Sequence, residues 1–340
     1  MNREKESIRT LEPYVTNPTV CSVKLDANEG DKDLYLDLLK KLGNSDLKLN
    51  YYPDDSYTEL KKEINNYVGY EPKNITVGNG SSELLDLCVK TFLDKNEMIL
   101  SLDPTFSIYA QVFSAKYVGA KTEDDFKLNV DSIIEDIQKN SPKLIILCNP
   151  NNPTGSVLTK EEVRKIVKST DALIALDEAY MEFGDESLID EVMNYDNLLI
   201  VKTLSKAFSL AGIRMGYIVA NEDIINSIEK VRAPYNLNSL STYIATEALR
   251  QKDRMYDYVK SIKEEREKMY KTLIDLGVKA YKSSANFIFF KSDIEDLQKK
   301  LIQKDVLIRK FSSKLEGFYR VSIGTKEQNQ KFLEALKEVI

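Results

Sequence analysis

The chain has 340 residues, 42% of them hydrophobic and 30% charged, with a net charge of −6 and no histidine or tryptophan. That is enough apolar chain for a large core or two domains, and without a basic tract it does not point to nucleic acid as a partner. Lacking histidine, it excludes Ser-His-Asp and Cys-His nucleophiles and histidine metal sites, so proton transfer near neutral pH falls to lysine, carboxylate, tyrosine, cysteine or a bound group.

In chain order, the opening "MNREKESIRT" carries charge and lacks an apolar signal core, and no later apolar run reaches the length of a membrane span. A cytoplasmic protein with no membrane partner is expected. The first 30 or so residues read as irregular, with "LEPYV" and "LDANEG" as turn-rich islands. "SYTELKKEINNYVGY" has helical periodicity and stops near Gly69. "NITVGNG" reads as a short strand and "SSELLDLCVKTFL" as a helix with Ser81 near its N-cap.

Alternation follows. "EMILSL" reads as a strand, "SIYAQVFSAKYVG" and "DSIIEDIQKN" as helices, and "KLIILCNP" as a buried strand breaking into "NNPTG". "TKEEVRKIVKST" is a helix opened by a capping box of Thr159 and Glu162, and "ALIALDEAY", "NLLIVKTL" and "GYIVA" are strands. Alternating elements of this kind imply an α/β fold with a mainly parallel sheet flanked by helices. Beyond residue 236 the character shifts. One long helix or two in sequence precede "ANFIFFKS", "VLIRKF" and "YRVSIG" (strands), with helices at "IEDLQKKLIQK" and "EQNQKFLEALKEV". The expected organisation is a large domain over 30–236 and a smaller α+β domain from 1–29 and 237–340, the first residues forming an N-terminal arm. Cys21, Cys88 and Cys148 lie far apart without metal-ligand spacing and read as free, mostly buried thiols in a reducing compartment.

Three motifs fall at carboxyl ends of expected strands, where open parallel sheets bind ligands: "CNPNNPTG", "LDEAY" and "TLSKAF". A fourth, "GNGSSE", forms a strand-to-helix turn. Singly, each also reads as an ordinary turn, cap or solvated lysine. Jointly they supply an amine able to condense with an aldehyde, a carboxylate able to hold a ring nitrogen protonated, and a helix N-terminus able to take a phosphate. Those are the needs of pyridoxal phosphate.

On "LDANEG", "YPD", "GNGSSELLD", "PTFSIY", "CNPNNPTG", "LDEAYMEF" and "TLSKAFSLAGIRMGY", the chain resembles the fold type I pyridoxal-phosphate aminotransferases nearly end to end, and it leans towards their histidinol-phosphate group. The resemblance implies a large PLP-binding domain with a smaller substrate-side one. It implies that Lys206 carries pyridoxal 5'-phosphate and moves the proton at the substrate Cα, with Asp177 on the ring nitrogen. Asn152 and Tyr180 would bond the cofactor's phenolic oxygen, and Phe106 would stack on the ring where relatives usually have tyrosine. Ser81, Ser82, Ser205 and Arg214 would bind its phosphate. Ser82 stands where many relatives have an acid. Tyr52 would reach the neighbouring subunit's cofactor in a homodimer. Tyr14, Asn28, Arg309 and Arg320 would face the substrate, with Arg320 on a carboxylate and Arg309 on a distal phosphate. The implied partners are a small-molecule amino donor and a 2-oxo acid, most specifically L-histidinol phosphate and 2-oxoglutarate. An aromatic amino-acid aminotransferase, a threonine-phosphate decarboxylase and, remotely, a non-catalytic binding protein share the fold.

Overall fold

The computed structural model describes residues 17–30, 32–109, 116–123 and 125–340. Among them two sheets form. The larger has the order β2-β8-β7-β6-β5-β3-β4. Its strands are β2 (Ile75–Asn79), β3 (Met98–Asp103), β4 (Lys116–Lys121), β5 (Leu144–Cys148), β6 (Leu173–Asp177), β7 (Leu198–Thr203) and β8 (Met215–Ala220). Neighbours from β4 through β7 pair in parallel, whereas β8 runs antiparallel to both β7 and β2. Every residue of β5, β7 and β8 is buried. Helices cover both faces of such a sheet, which is why its strands read as unbroken apolar runs instead of alternating ones.

Several helices match the expected signals. Thr58–Val68 ends where Gly69 takes φ 83°, a left-handed conformation that glycine adopts freely. Lys160–Lys168 opens with the Thr159/Glu162 capping box. The helix after β2 spans Gly80–Phe92 with Asn79 in the N-cap position, so Ser81 lies near the N-cap as its second helical residue. One expected helix is corrected: Lys116–Gly119 of "SIYAQVFSAKYVG" belongs to β4, the edge strand beside β3, where the β-branched and aromatic residues of "KYV" suit an extended chain.

The smaller sheet has the order β1-β11-β12-β10-β9. It contains β9 (Lys279–Ala280), β10 (Phe287–Lys291), β11 (Val306–Lys310) and β12 (Phe318–Ser322). It also contains β1 (Val23–Leu25), so the opening segment is not wholly irregular: these residues pair in parallel with β11. After β8 and the short helix Glu222–Glu229 come helices Ser239–Arg250 and Asp253–Asp275, which lead into the smaller sheet. Of this last pair, the first packs against helices Thr58–Val68 and Leu36–Gly43 and against β8, while the second packs beside β9, β10 and helix Lys326–Lys337. One apolar cluster runs through both sheets, joining Leu147 and Leu176 to Phe287 and Val321. No helix among the described residues is long and apolar enough to cross a membrane.

Candidate active site

Because β2, β3, β5, β6 and β7 point the same way, their carboxyl ends share one edge of the larger sheet. There the four motifs meet the smaller sheet's β11 and β12 around a cleft of about 1210 Å³. Ser81, Ser82, Phe106, Asn152, Asp177, Tyr180, Ser205, Lys206, Arg214, Asn28, Arg309 and Arg320 all line it. Tyr52 does not: its ring is 79% exposed and stacks on Tyr235 at 4.4 Å. Tyr14 lies outside the described residues.

Lys206, a half-buried residue, follows β7; its Nζ donates to the Ala27 carbonyl at 3.2 Å and sits 5.6 Å from the Tyr180 ring centre. Burial, with Arg320 and Arg214 adding repulsion, brings its pKa down to about 8. A substantial neutral fraction near physiological pH is what an amine nucleophile or base needs.

Asp177 closes β6 and is 3% exposed. Its Oδ2 accepts from the Tyr109 hydroxyl at 2.6 Å and its Oδ1 from the Ala179 N–H at 3.1 Å. Burial raises its pKa, and both hydrogen bonds oppose that rise. Tyr180 accepts from Asn152 Nδ2 at 3.3 Å and Asn28 Nδ2 at 3.2 Å, and burial pushes its phenol up to about 12, so it enters the site as a neutral hydroxyl. Arg320 on β12 donates to Asn152 Oδ1 at 2.5 Å and to the Asp26 carbonyl at 2.9 Å. It therefore ties the second sheet to the "NNPTG" turn. Asn28 is held by its own N–H to Ser322 Oγ at 2.9 Å and by Asn286, which donates to its carbonyl at 3.2 Å.

The opposite end of the cleft is built for an anion. Gly80 starts its helix at φ 78°, and a Cβ there would lie 2.5 Å from Arg214 Nη2. A Cβ on Gly216 would fall 2.8 Å from the Ser81 nitrogen, so both positions require glycine for close approach. The first-turn N–H groups of Ser81 and Ser82 have no carbonyl one turn back and offer donors at the positive end of the helix. Arg214, in a left-handed conformation at φ 53° just before β8, extends its guanidinium there and donates to Ser205 Oγ at 3.4 Å. Ser205 Oγ also accepts from Thr203 at 3.0 Å.

This donor set fits pyridoxal phosphate. An amine, a buried carboxylate, a flat aromatic face at Phe106, a neutral phenol and a cationic glycine turn share one cleft, and the glycine turn leaves room for a phosphate where a side chain would fill it. Sequence reasoning missed Tyr109, which is buried and bonded to Asp177, although it stands three residues beyond Phe106 in "PTFSIY". It also passed over Cys148, a buried thiol that lines the cleft beside Asp177 in strand register, and over Lys310 and Lys314 at the rim. Three residues in a quoted motif were the available signal for the first; for the others no local pattern pointed to the cleft.

Comparison with known proteins agrees with the geometry. The family model "Aminotransferase class I and II" matches residues 22–336. Histidinol-phosphate aminotransferase of Clostridium novyi is 37% identical over 98% of this chain and 96% of its own length. Its counterpart from Thermoanaerobacter sp. strain X514 is also 37% identical, over 100% of this chain and 99% of its own. Among solved structures, histidinol-phosphate aminotransferase from Sinorhizobium meliloti in complex with pyridoxal-5'-phosphate superposes with a TM-score of 0.88 at 22% identity, covering 100% of this chain and 98% of the other.

Proposed function

The chain belongs to the class I and II aminotransferases, enzymes that work with pyridoxal 5'-phosphate, and on that premise we propose that it exchanges an amino group between L-histidinol phosphate and 2-oxoglutarate in histidine biosynthesis. The observation that carries the reading is the convergence of the Lys206 amine, the Asp177 carboxylate and the Gly80/Arg214 turn on one cleft. The choice of substrate is supported by the full-length relatives that act on histidinol phosphate.

When bound, the cofactor supplies an aldehyde for amino groups and a protonated ring that draws electron density from the substrate Cα. Lys206 would hold it, then take the proton from Cα and return it on the far carbon. Asp177 would keep the ring nitrogen protonated by facing it with a fixed carboxylate oxygen. Asn152 and Tyr180 would donate to the phenolic oxygen, and Phe106 would cover one ring face. Ser81, Ser82, Ser205 and Arg214 would take the phosphate dianion. Arg320 would take the oxo-acid carboxylate, a task for which its planar fork is suited. Arg309, on the strand beside it, would face the distal phosphate, and Asn28 and Tyr14 would complete the substrate side.

The same reading includes a homodimer in the cytoplasm, with Tyr52 reaching the neighbouring site. Its support is a set of exposed apolar side chains on nearby segments, Leu36, Leu39, Leu49, Tyr51 and Tyr235 beside Tyr52 itself. The proposed division is a large unit over 30–236 and a smaller one from 1–29 and 237–340; helix Ser239–Arg250, just beyond that boundary, packs on helices Thr58–Val68 and Leu36–Gly43 of the large unit.

The test is a half-reaction. Protein loaded with pyridoxal 5'-phosphate is mixed with L-histidinol phosphate, without oxo acid, and the visible spectrum is followed. Conversion of the bound aldehyde form to the amine form is expected. An unchanged spectrum would sink this substrate, and L-phenylalanine, L-tyrosine and O-phosphothreonine would then separate the aromatic aminotransferase from the decarboxylase.

A further inference from the structure

Asp177 is held from two sides, and one of the two holders is a side chain that the mechanism above does not use. Tyr109 is fully buried, follows β3 and meets the Phe106 ring edge-on at 5.6 Å. Its hydroxyl ends 2.6 Å from Asp177 Oδ2. The other carboxylate oxygen is taken by the backbone of Ala179. Tyr109 thereby links the wall that carries Phe106 to the end of β6, across 68 residues of chain.

A buried carboxylate without partners holds its proton, and a protonated acid cannot keep a ring nitrogen charged. After burial, which raises the pKa of Asp177, the strongest influence is the Tyr109 hydrogen bond, which lowers it; the Ala179 N–H, Glu178 and Lys206 follow. Burial and the Asp177 charge hold the Tyr109 phenol well above its ordinary pKa, so it stays a donor at any working pH. Cys148, the next group in this neighbourhood, has its thiol pushed up by burial and directed at the Pro150 carbonyl at 3.3 Å, so it adds no charge.

We propose that Tyr109 is a positioning residue for the reaction: its hydroxyl fixes the orientation and charge of Asp177, and so the grip of the site on the cofactor ring. The proposal rests on the role assigned above to Asp177. It reaches the chemistry only through that carboxylate.

Tyr109→Phe removes one oxygen and leaves the ring packed on Phe106. The dissociation constant for pyridoxal 5'-phosphate, measured by equilibrium dialysis, is expected to rise about 10-fold, the scale of a hydrogen bond to a charged group. kcat falls by a similar factor, and KM for 2-oxoglutarate changes little. In an Asp177→Asn background, the same substitution moves the dissociation constant less than about twofold, because the partner is gone. Equal losses in both backgrounds would mean a packing role and overturn the proposal, as would wild-type affinity and kcat in Tyr109→Phe. Should that variant not fold, 3-fluorotyrosine at position 109, a stronger donor of nearly the same shape, is expected to tighten retention only while Asp177 is present; no change overturns the proposal. A wild-type protein without affinity for the cofactor would sink the proposed function itself, whereas an indifferent Tyr109→Phe beside a cofactor-binding wild type sinks this inference alone.

Discussion

Lys202 and Lys206 flank the end of β7, four positions apart, and their surroundings drive them in opposite directions. Lys202 is buried with its Nζ 2.9 Å from Glu182 and 3.2 Å from Glu178. Burial works against its charge, but the two carboxylates outweigh burial and hold its pKa above the ordinary lysine value. Glu178 is anchored in turn by Ser187 Oγ at 2.6 Å and the Leu188 N–H at 3.1 Å. Lys206 has burial and two arginines working together against its charge, and its Nζ donates to a backbone carbonyl, not to a carboxylate. One lysine is a permanent cation that clamps the segment after Asp177; the other is an amine ready to react. Pairing, not burial, separates the structural lysine from the chemical one.

Replacing Lys206 with alanine breaks the contrast most completely. Turnover should drop at least about 1000-fold, since the side chain proposed to hold the cofactor and to carry the proton is lost, while the thermal midpoint stays near wild type. Near-normal turnover would remove the chemical half of the comparison. Lys202→Met attacks the other half. It strands two buried carboxylates, so denaturant unfolding should show a loss of about 3–5 kcal/mol, and cofactor affinity of the folded fraction should change far less than in Lys206→Ala. Unaltered stability would mean that the Glu178–Lys202–Glu182 cluster is not the clamp described. Asp177→Asn sharpens the account: kcat should fall roughly 100-fold with the fold intact, the scale of losing one preorganised charge, and an unchanged kcat would displace Asp177 from the ring nitrogen. The smallest effect is in pH. Lys206 must be neutral to attack an aldehyde, and its pKa is lowered from 10.5 to about 8. Capture of pyridoxal 5'-phosphate by cofactor-free protein should therefore climb as pH rises towards 8 and level off above it; a rate still climbing at pH 10, an order-of-magnitude mark set by ordinary lysine, would show an unperturbed amine.

Much of this was legible in the chain. Unbroken apolar runs such as "KLIILC" marked the central strands, the Thr159/Glu162 box marked a helix start, and the motifs at strand ends foretold which side chains meet. What stayed hidden depends on tertiary partners. β1 is three residues long and exists because β11 offers it a free edge. β4 sits in a stretch whose local pattern also suits a helix, and pairing with β3 decides it. The Tyr109–Asp177 bond and the Lys202 cluster join segments with no common sequence signature.

The most direct test of the central claim is to let the cofactor choose between the two lysines. Wild-type protein is loaded with pyridoxal 5'-phosphate, reduced with borohydride, digested and read by mass spectrometry. The pyridoxyl label is expected on Lys206, with none on Lys202. A label on Lys202, or no site-specific label, would contradict that claim.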